Sequence, residues 1–404
     1  MVRRKEYMDK LYKLKDTDDV KIITGARRSG KTHLIKEFMK ELKEDNVNTE
    51  NIIFISFESN KYKHIRNDLE LDSLVYKLTE NLTGKLYLFF DEVHKVSNWE
   101  ESINGYRVDL DADIYVTGSY GQMLNGINSS VLSGRYIRIK IYPFSFSETL
   151  TYYEENNYPI NSATQQEIFE EYLSFGGFPG HFKYDGEEKI DYLSDVYDSI
   201  MLKDIFDIEV VSSIELYRRL MEFMISNIGN EFSVSSITKF LKNEKRSPKN
   251  ETIMNYLMYA SNAYLLYKVK RKDIKGKEIL KTLEKYYIVD PGFYYLFYDE
   301  TKRDLGQLLE NIVYLEFLRR GYEITIGKIY NLEVDFVCEK PGKTVYVQVS
   351  KSIMDDRTKE REFKSLEKIN DNYSKYVFTL DTINMSRNGI IHQNIMDFLL
   401  TREI

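Results

Sequence analysis

Gly25-Ala26-Arg27-Arg28-Ser29-Gly30-Lys31-Thr32 follows the apolar run Val20-Lys21-Ile22-Ile23-Thr24 and precedes Leu34, Ile35 and Phe38, which recur at helical spacing. Strand, glycine loop and helix in that order give G-x-x-x-x-G-K-[ST] the setting it needs as a phosphate-binding loop. There the backbone N–H groups of Gly25 to His33 and the helix N-terminus converge on an anion. Lys31 is expected to reach the β- and γ-phosphates, and the Thr32 hydroxyl to bind Mg²⁺.

Leu86-Tyr87-Leu88-Phe89-Phe90 runs into Asp91-Glu92. A continuous apolar run reads as a strand buried on both faces of a parallel sheet. Its acids then lie at the carboxyl end, where open α/β sheets bind ligands. Asp91 is expected to hold Mg²⁺ and Glu92 to orient or deprotonate the attacking water. A third strand, Ile114-Tyr115-Val116, ends in Thr117-Gly118-Ser119, so Thr117 or Ser119 is placed to touch the γ-phosphate or the lytic water. Arg135 is a candidate cation for transition-state charge, acting in cis or from a neighbouring subunit.

The 404 residues allow two to four domains, and 42% apolar content allows sizeable cores. A net charge of −7 excludes a globally basic nucleic-acid coat, so any such contact is a local patch. The lone cysteine, Cys338, excludes an intrachain disulfide and fits a reducing cytosol. The charged start, Met1-Val2-Arg3-Arg4-Lys5-Glu6, lacks a secretory apolar stretch, and no run approaches a bilayer span. A cytoplasmic protein without membrane contact is expected.

Along the chain, β and α patterns alternate to about residue 143, which predicts a parallel three-layer α/β domain over 1–143. Residues 144–225 read as a helical lid interrupted by Phe175-Gly176-Gly177-Phe178-Pro179-Gly180, a turn. Residues 226–302 read as a winged helix-turn-helix: two short helices, then strands around Lys275-Gly276-Lys277. Between 231 and 285 stand thirteen lysines and arginines against six carboxylates. That local basicity makes Lys249, Asn250 and Thr252, near the tip of the second helix, candidate DNA contacts. Packing against the ATPase core, with its lysines as solvated surface, is the competing role for this segment.

Residues 303–404 form an α/β unit of their own. In it Glu310, Glu333, Asp335, Gln348 and Ser350 resemble the nuclease layout of a helix Glu, a strand Asp and then Glu-x-Lys on the next strand. Gln348 replaces the second carboxylate, which weakens a hard-cation site. Ser350 stands where the lysine belongs, and Lys351 points to the other face. A degenerate, catalytically inactive nuclease-like domain is expected.

Taken as a set, these stretches resemble a widespread prokaryotic family with an N-terminal AAA-type ATPase domain and a C-terminal domain of unknown function related to restriction nucleases. Tyr142-Pro143-Phe144, Gly176-Gly177-Phe178-Pro179 and Glu333-Val334-Asp335-Phe336 also fit. The resemblance implies an additional-strand P-loop fold with a lid, and roles in ATP and Mg²⁺ handling for Lys31, Thr32, Asp91, Glu92 and Ser119. Three functions follow as expectations. The first is ATP hydrolysis that moves a winged-helix and C-terminal arm, acting on DNA or on a protein partner through the C-terminal domain, in a monomer or an oligomer. The others are a nucleotide-gated DNA-binding regulator and a metal-dependent DNA nuclease.

Overall fold

The structure is a computed structural model. It describes residues 2–118, 123, 131–158, 160–243, 248–298 and 304–401. Two compact units emerge, one spanning 1–143 with 262–264, the other 144–261 with 265–404.

The first unit is built on five parallel strands in the order β2-β3-β4-β1-β5. These are β1 (Val20–Gly25), β2 (Ile52–Ser56), β3 (Leu86–Asp91), β4 (Ala112–Gly118) and β5 (Tyr136–Ile141). Helices α1 (Lys5–Leu14) and α2 (Lys31–Glu44) cover one face, and α3 (Asp68–Thr79) and α4 (Trp99–Asp109) the other. Period-two alternation explains why the strands are apolar on both faces. Leu86, Leu88 and Phe90 face α3 and α4, while Tyr87 and Phe89 face α1 and α2. Fully buried Lys21 on β1 is neutralised by Asp113 on β4 at 2.6 Å and also donates to the Thr17 carbonyl. Tyr115 and the Asp16 amide donate to the other Asp113 oxygen, so this buried charge pair is fully bonded.

The second unit begins with helices α5 (Phe146–Glu155), α6 (Ser162–Phe175), α7 (Glu187–Ser199) and α8 (Ile214–Ser226); a π-helical segment, Ile200–Phe206, extends α7. The expected helix, helix, hairpin order follows as α9 (Val234–Asn243), α10 (Asn250–Asn262), β6 (Leu266–Asp273) and β7 (Glu278–Ile288). Then come the short α11 (Gly292–Phe297), α12 (Leu305–Arg319), β8 (Glu323–Ile329), β9 (Leu332–Lys340), β10 (Lys343–Val349), α13 (Asp356–Glu367), β11 (Ser374–Thr379), β12 (Ile390–Asn394) and α14 (Ile395–Leu400).

The hairpin does not stand alone. It forms the edge of one seven-stranded sheet, ordered β12-β11-β10-β9-β8-β6-β7, through parallel pairing of Arg271–Asp273 with Ile326–Lys328. Residues 266–288 and the strands after 323 therefore share one sheet across the expected domain boundary at 302. Among the described residues, no helix is long and apolar enough to cross a membrane.

Candidate functional site

The phosphate loop links the end of β1 to α2. Gly25 has φ +151° and runs so close to the end of β5 that a Cβ would lie 2.1 Å from the Ile141 carbonyl oxygen. Gly30, at φ +100°, caps the N-terminus of α2 in the left-handed region that glycine adopts freely. Arg28 also has positive φ, +67°. Arg4, 2% exposed, donates to the Ser29 carbonyl at 3.1 Å and to the Pro143 carbonyl at 3.5 Å, which ties the loop to the end of β5. The Ser29 hydroxyl is buried without a hydrogen-bond partner among the described residues.

Lys31 is buried and folds back onto the loop, donating to the Gly25 and Ala26 carbonyls at 3.0 and 3.1 Å. The neighbouring acid at the end of β3 lies against the same loop. Asp91 accepts from Thr32 Oγ1 at 2.9 Å and from Thr117 Oγ1 at 2.8 Å, and its other oxygen accepts from Ser56 Oγ at 3.0 Å. A threonine hydroxyl and a carboxylate side by side form an oxygen donor set suited to Mg²⁺.

Glu92 turns out of the strand in a left-handed conformation, φ 56°. Its amide donates to Thr117 Oγ1 at 3.0 Å, and its carboxylate lies 3.4 Å from His94 Nδ1. Burial pushes the Glu92 carboxyl up, but Lys31, His94, Arg27 and Lys95 outweigh it and hold it below the usual carboxylate range. Glu92 is thus an anion at the mouth of a cationic loop, suited to orient water.

Thr117 is fully buried and braces Asp91 and Glu92 from behind, so the reading in which it touches the γ-phosphate or the water does not fit. Ser119 lies outside the described residues. Arg135 is exposed and precedes β5; its guanidinium donates to Asn104 Oδ1 at 3.0 Å and to the Val131 carbonyl at 3.2 Å. Because Tyr136 is level with Val20 at the start of β1, Arg135 stands at the N-terminal end of the parallel strands, opposite the end that carries its own phosphate loop. His33 is the third residue of α2 and pairs loosely with Glu37, 3.8 Å away. Ser56 and Arg4 escaped the sequence reading. The polar residue closing the apolar run Ile52–Ile55 was the available signal for Ser56; nothing marked Arg4.

In the second unit, α12 and the sheet bring Glu310, Glu333, Asp335 and Gln348 around a cavity of about 560 Å³. Gln348 accepts from the Asp335 amide at 2.7 Å and donates to Glu362 at 2.9 Å, so Asp335 and Gln348 are neighbours on β9 and β10 as expected. Ser350 instead donates to the Ser352 carbonyl at 3.3 Å. A lysine does reach this cluster, from another strand. Lys285 on β7 reaches Glu333 at 2.7 Å and Glu310 at 3.2 Å, and Tyr287 also donates to Glu310. Burial opposes its charge, yet Glu310, Asp335 and Glu333 raise the Lys285 ammonium above the ordinary lysine range. Burial and then Glu310 push the Asp335 carboxyl well up. Among the described residues, no three His, Cys, Asp or Glu side chains converge as a metal site.

Lys249, Asn250 and Thr252 lie at the N-terminal end of α10. Lys249 and Asn250 are exposed, and Asn250 accepts from Thr238 Oγ1 at 3.1 Å. Further along, the outward face of α10 is apolar: Met254 is 58% and Met258 49% exposed.

Residues 17–150 match the family described as AAA domain, and residues 166–303 match a domain of unknown function. An uncharacterised protein of Haemophilus influenzae is 36% identical over 379 residues, covering 94% of this chain and 93% of its own length. An uncharacterised protein of Methanocaldococcus jannaschii is 31% identical over 360 residues, covering 86% and 78%. Among solved structures, a Walker-type ATPase of Pyrococcus abyssi aligns with a TM-score of 0.50 at 16% identity, over 74% of this chain and 96% of that one. That likeness concerns the fold. With the phosphate loop, the paired acids and the AAA match all in one parallel sheet, the chain belongs, together with its bacterial and archaeal relatives, to an AAA-type P-loop ATPase family.

Proposed function

We propose that the chain binds ATP and hydrolyses it with Mg²⁺. One observation carries the reading: the Thr32 hydroxyl bonds Asp91 at 2.9 Å while Glu92, the next residue, is held anionic. Thr32 and Asp91 would hold the ion, which supplies charge neutralisation at the phosphates. Lys31 exchanges its two carbonyl partners for phosphate oxygens. Glu92 accepts a hydrogen bond from water and fixes its approach, while Thr117 keeps both acids in register. The product is ADP and phosphate, and the energy released drives a conformational change in the unit that follows residue 143.

Glu92→Gln should retain ATP binding and lower turnover by about 10²- to 10⁴-fold, the range for losing a positioned base. Lys31→Ala should weaken both. Unchanged turnover in Glu92→Gln removes that residue from the mechanism. Arg135 fits a role on a neighbouring copy better than on its own loop. Turnover in Arg135→Ala that matches wild type at every protein concentration rejects it.

A winged-helix role in DNA binding rests on Lys249, Asn250 and Thr252 at the tip of α10. Loss of duplex binding in Lys249→Ala supports it; the apolar Met254 and Met258 face favours a protein partner instead. The nuclease reading is weakened by Gln348, a neutral amide engaged with the Asp335 amide and Glu362 where a second carboxylate would have to stand.

A further inference from the structure

The turn between β6 and β7 and the C-terminal end of α13 enclose another cavity, of about 570 Å³, walled by lysine and tyrosine. Four lysines line it, Lys272, Lys275, Lys277 and Lys368, against two carboxylates, Glu339 and Asp371. Both carboxylates are already engaged. Glu339 holds Lys272 at 2.5 Å. Asp371 accepts from the Tyr346 hydroxyl at 2.7 Å and from the Tyr373 amide at 3.1 Å, with Lys375 nearby. Asp273, beside the turn, accepts from the Lys275 and Gly276 amides at 2.9 and 2.8 Å and so fixes the loop that presents the cations. Lys275, Lys277 and Lys368 consequently have no carboxylate partner among the described residues. The Lys275 ammonium lies 5.0 Å from the centroid of the Tyr330 ring and 3.4 Å from its hydroxyl.

Three ammonium groups gathered without counter-charges repel one another unless an anion joins them. The aromatic walls are also available: Tyr330 is 60% and Tyr373 52% exposed. Phosphates beside unpaired lysines and bases against open rings are what single-stranded nucleic acid asks of a protein surface. The volume suits a segment of one or two nucleotides.

We propose that this pocket binds single-stranded nucleic acid, its phosphates held by Lys275, Lys277 and Lys368 and a base stacked on Tyr330 or Tyr373. The inference is independent of ATP hydrolysis. The test is fluorescence anisotropy on the full chain with a labelled oligothymidylate of about 15 nucleotides. At about 50 mM salt it should bind, with a log–log salt slope near −2 for three phosphate contacts. Joint Lys275→Ala, Lys277→Ala and Lys368→Ala replacement should weaken binding at least about tenfold. Tyr330→Ala and Tyr373→Ala together should cost about five- to hundredfold. All five side chains lie at the surface, so unchanged melting temperatures certify folded variants, and Lys31→Ala should bind as wild type does. Absence of binding at that salt, or binding that survives the triple lysine replacement, overturns the proposal. So does preference for a duplex that Lys249→Ala abolishes, which transfers recognition to α10. Competition by thymidine monophosphate on a par with the oligonucleotide assigns the pocket to a free nucleotide and equally rejects the strand.

Discussion

Gly176, at φ +72°, sits so close to Asp290 that a Cβ there would lie 1.5 Å from the carboxylate. Asp290 is fully buried and accepts from the Gly177 and Gly292 amides at 2.7 and 2.9 Å, while His181 Nε2 meets the Gly176 carbonyl at 3.0 Å. The glycine-rich turn after α6 is thus a carboxylate cradle. Burial pushes Asp290 from 3.8 up to about 7, and burial likewise pushes His181 from 6.5 down to about 4. Between pH 4 and 7 the folded chain keeps a proton on Asp290 that the unfolded chain has lost, so this group's stabilisation fades as pH rises. His181 acts oppositely: between about pH 4 and 6.5 the unfolded chain binds the extra proton, so stability from this group is lost as pH falls. The two slopes offset, each at most about 1.4 kcal/mol per pH unit. Relative to wild type, Asp290→Asn should therefore make stability rise with pH across this window, and His181→Gln should make it fall. Denaturant titrations at pH 4.5, 5.5 and 6.5 measure both; parallel curves for all three proteins would reject the assignment. Gly176→Ala should destabilise by about 1–3 kcal/mol from positive φ alone, before the clash with Asp290 is counted.

Strands and helices were legible where their determinants are local. The phosphate loop, the apolar run into Asp91-Glu92 and the pairing of Asp335 with Gln348 each depend on a few adjacent residues. What stayed hidden depends on partners far apart in the chain. Parallel pairing of β6 with β8 spans about fifty residues and leaves no period in either segment, so the hairpin read as a free wing. For the same reason the cluster seemed to lack a lysine: Lys285 lies 25 residues before Glu310 and 48 before Glu333. Arg4 reaches the phosphate loop from the N-terminus, again with no local signature. The Lys285 contacts yield a prediction at the scale of the element. Lys285→Met should destabilise the second unit by about 1–3 kcal/mol, because it leaves the partly buried Glu310 and Glu333 carboxylates without their cation, and Glu333→Gln added to it should recover part of that loss. A double-mutant cycle from denaturant titrations would show a coupling of about 0.5–3 kcal/mol; additive losses would mean that the pair does not organise the hairpin edge.

At the scale of the whole molecule, the two compact units differ in what nucleotide can do for them. Each has its own sheet and its own core, and the phosphate loop with its acids lies wholly in the first. A ligand that binds only the native state stabilises what it binds, by about 2.7 kcal/mol at a hundredfold excess over Kd. For a unit of this size that should lift the melting transition by roughly 5–10 °C. Calorimetry with MgATP on Glu92→Gln, which binds without turnover, should therefore raise one transition and leave the other in place. Asp91→Asn should shrink the shift with Mg²⁺ present and change it little with EDTA, since that carboxylate acts through the ion. A single transition that moves upward as a whole would mean that the units unfold as one, and that binding energy is shared between them before hydrolysis. A shift of neither would remove nucleotide from the mechanism, since no amount of lid or arm movement can be driven by a ligand with no differential affinity.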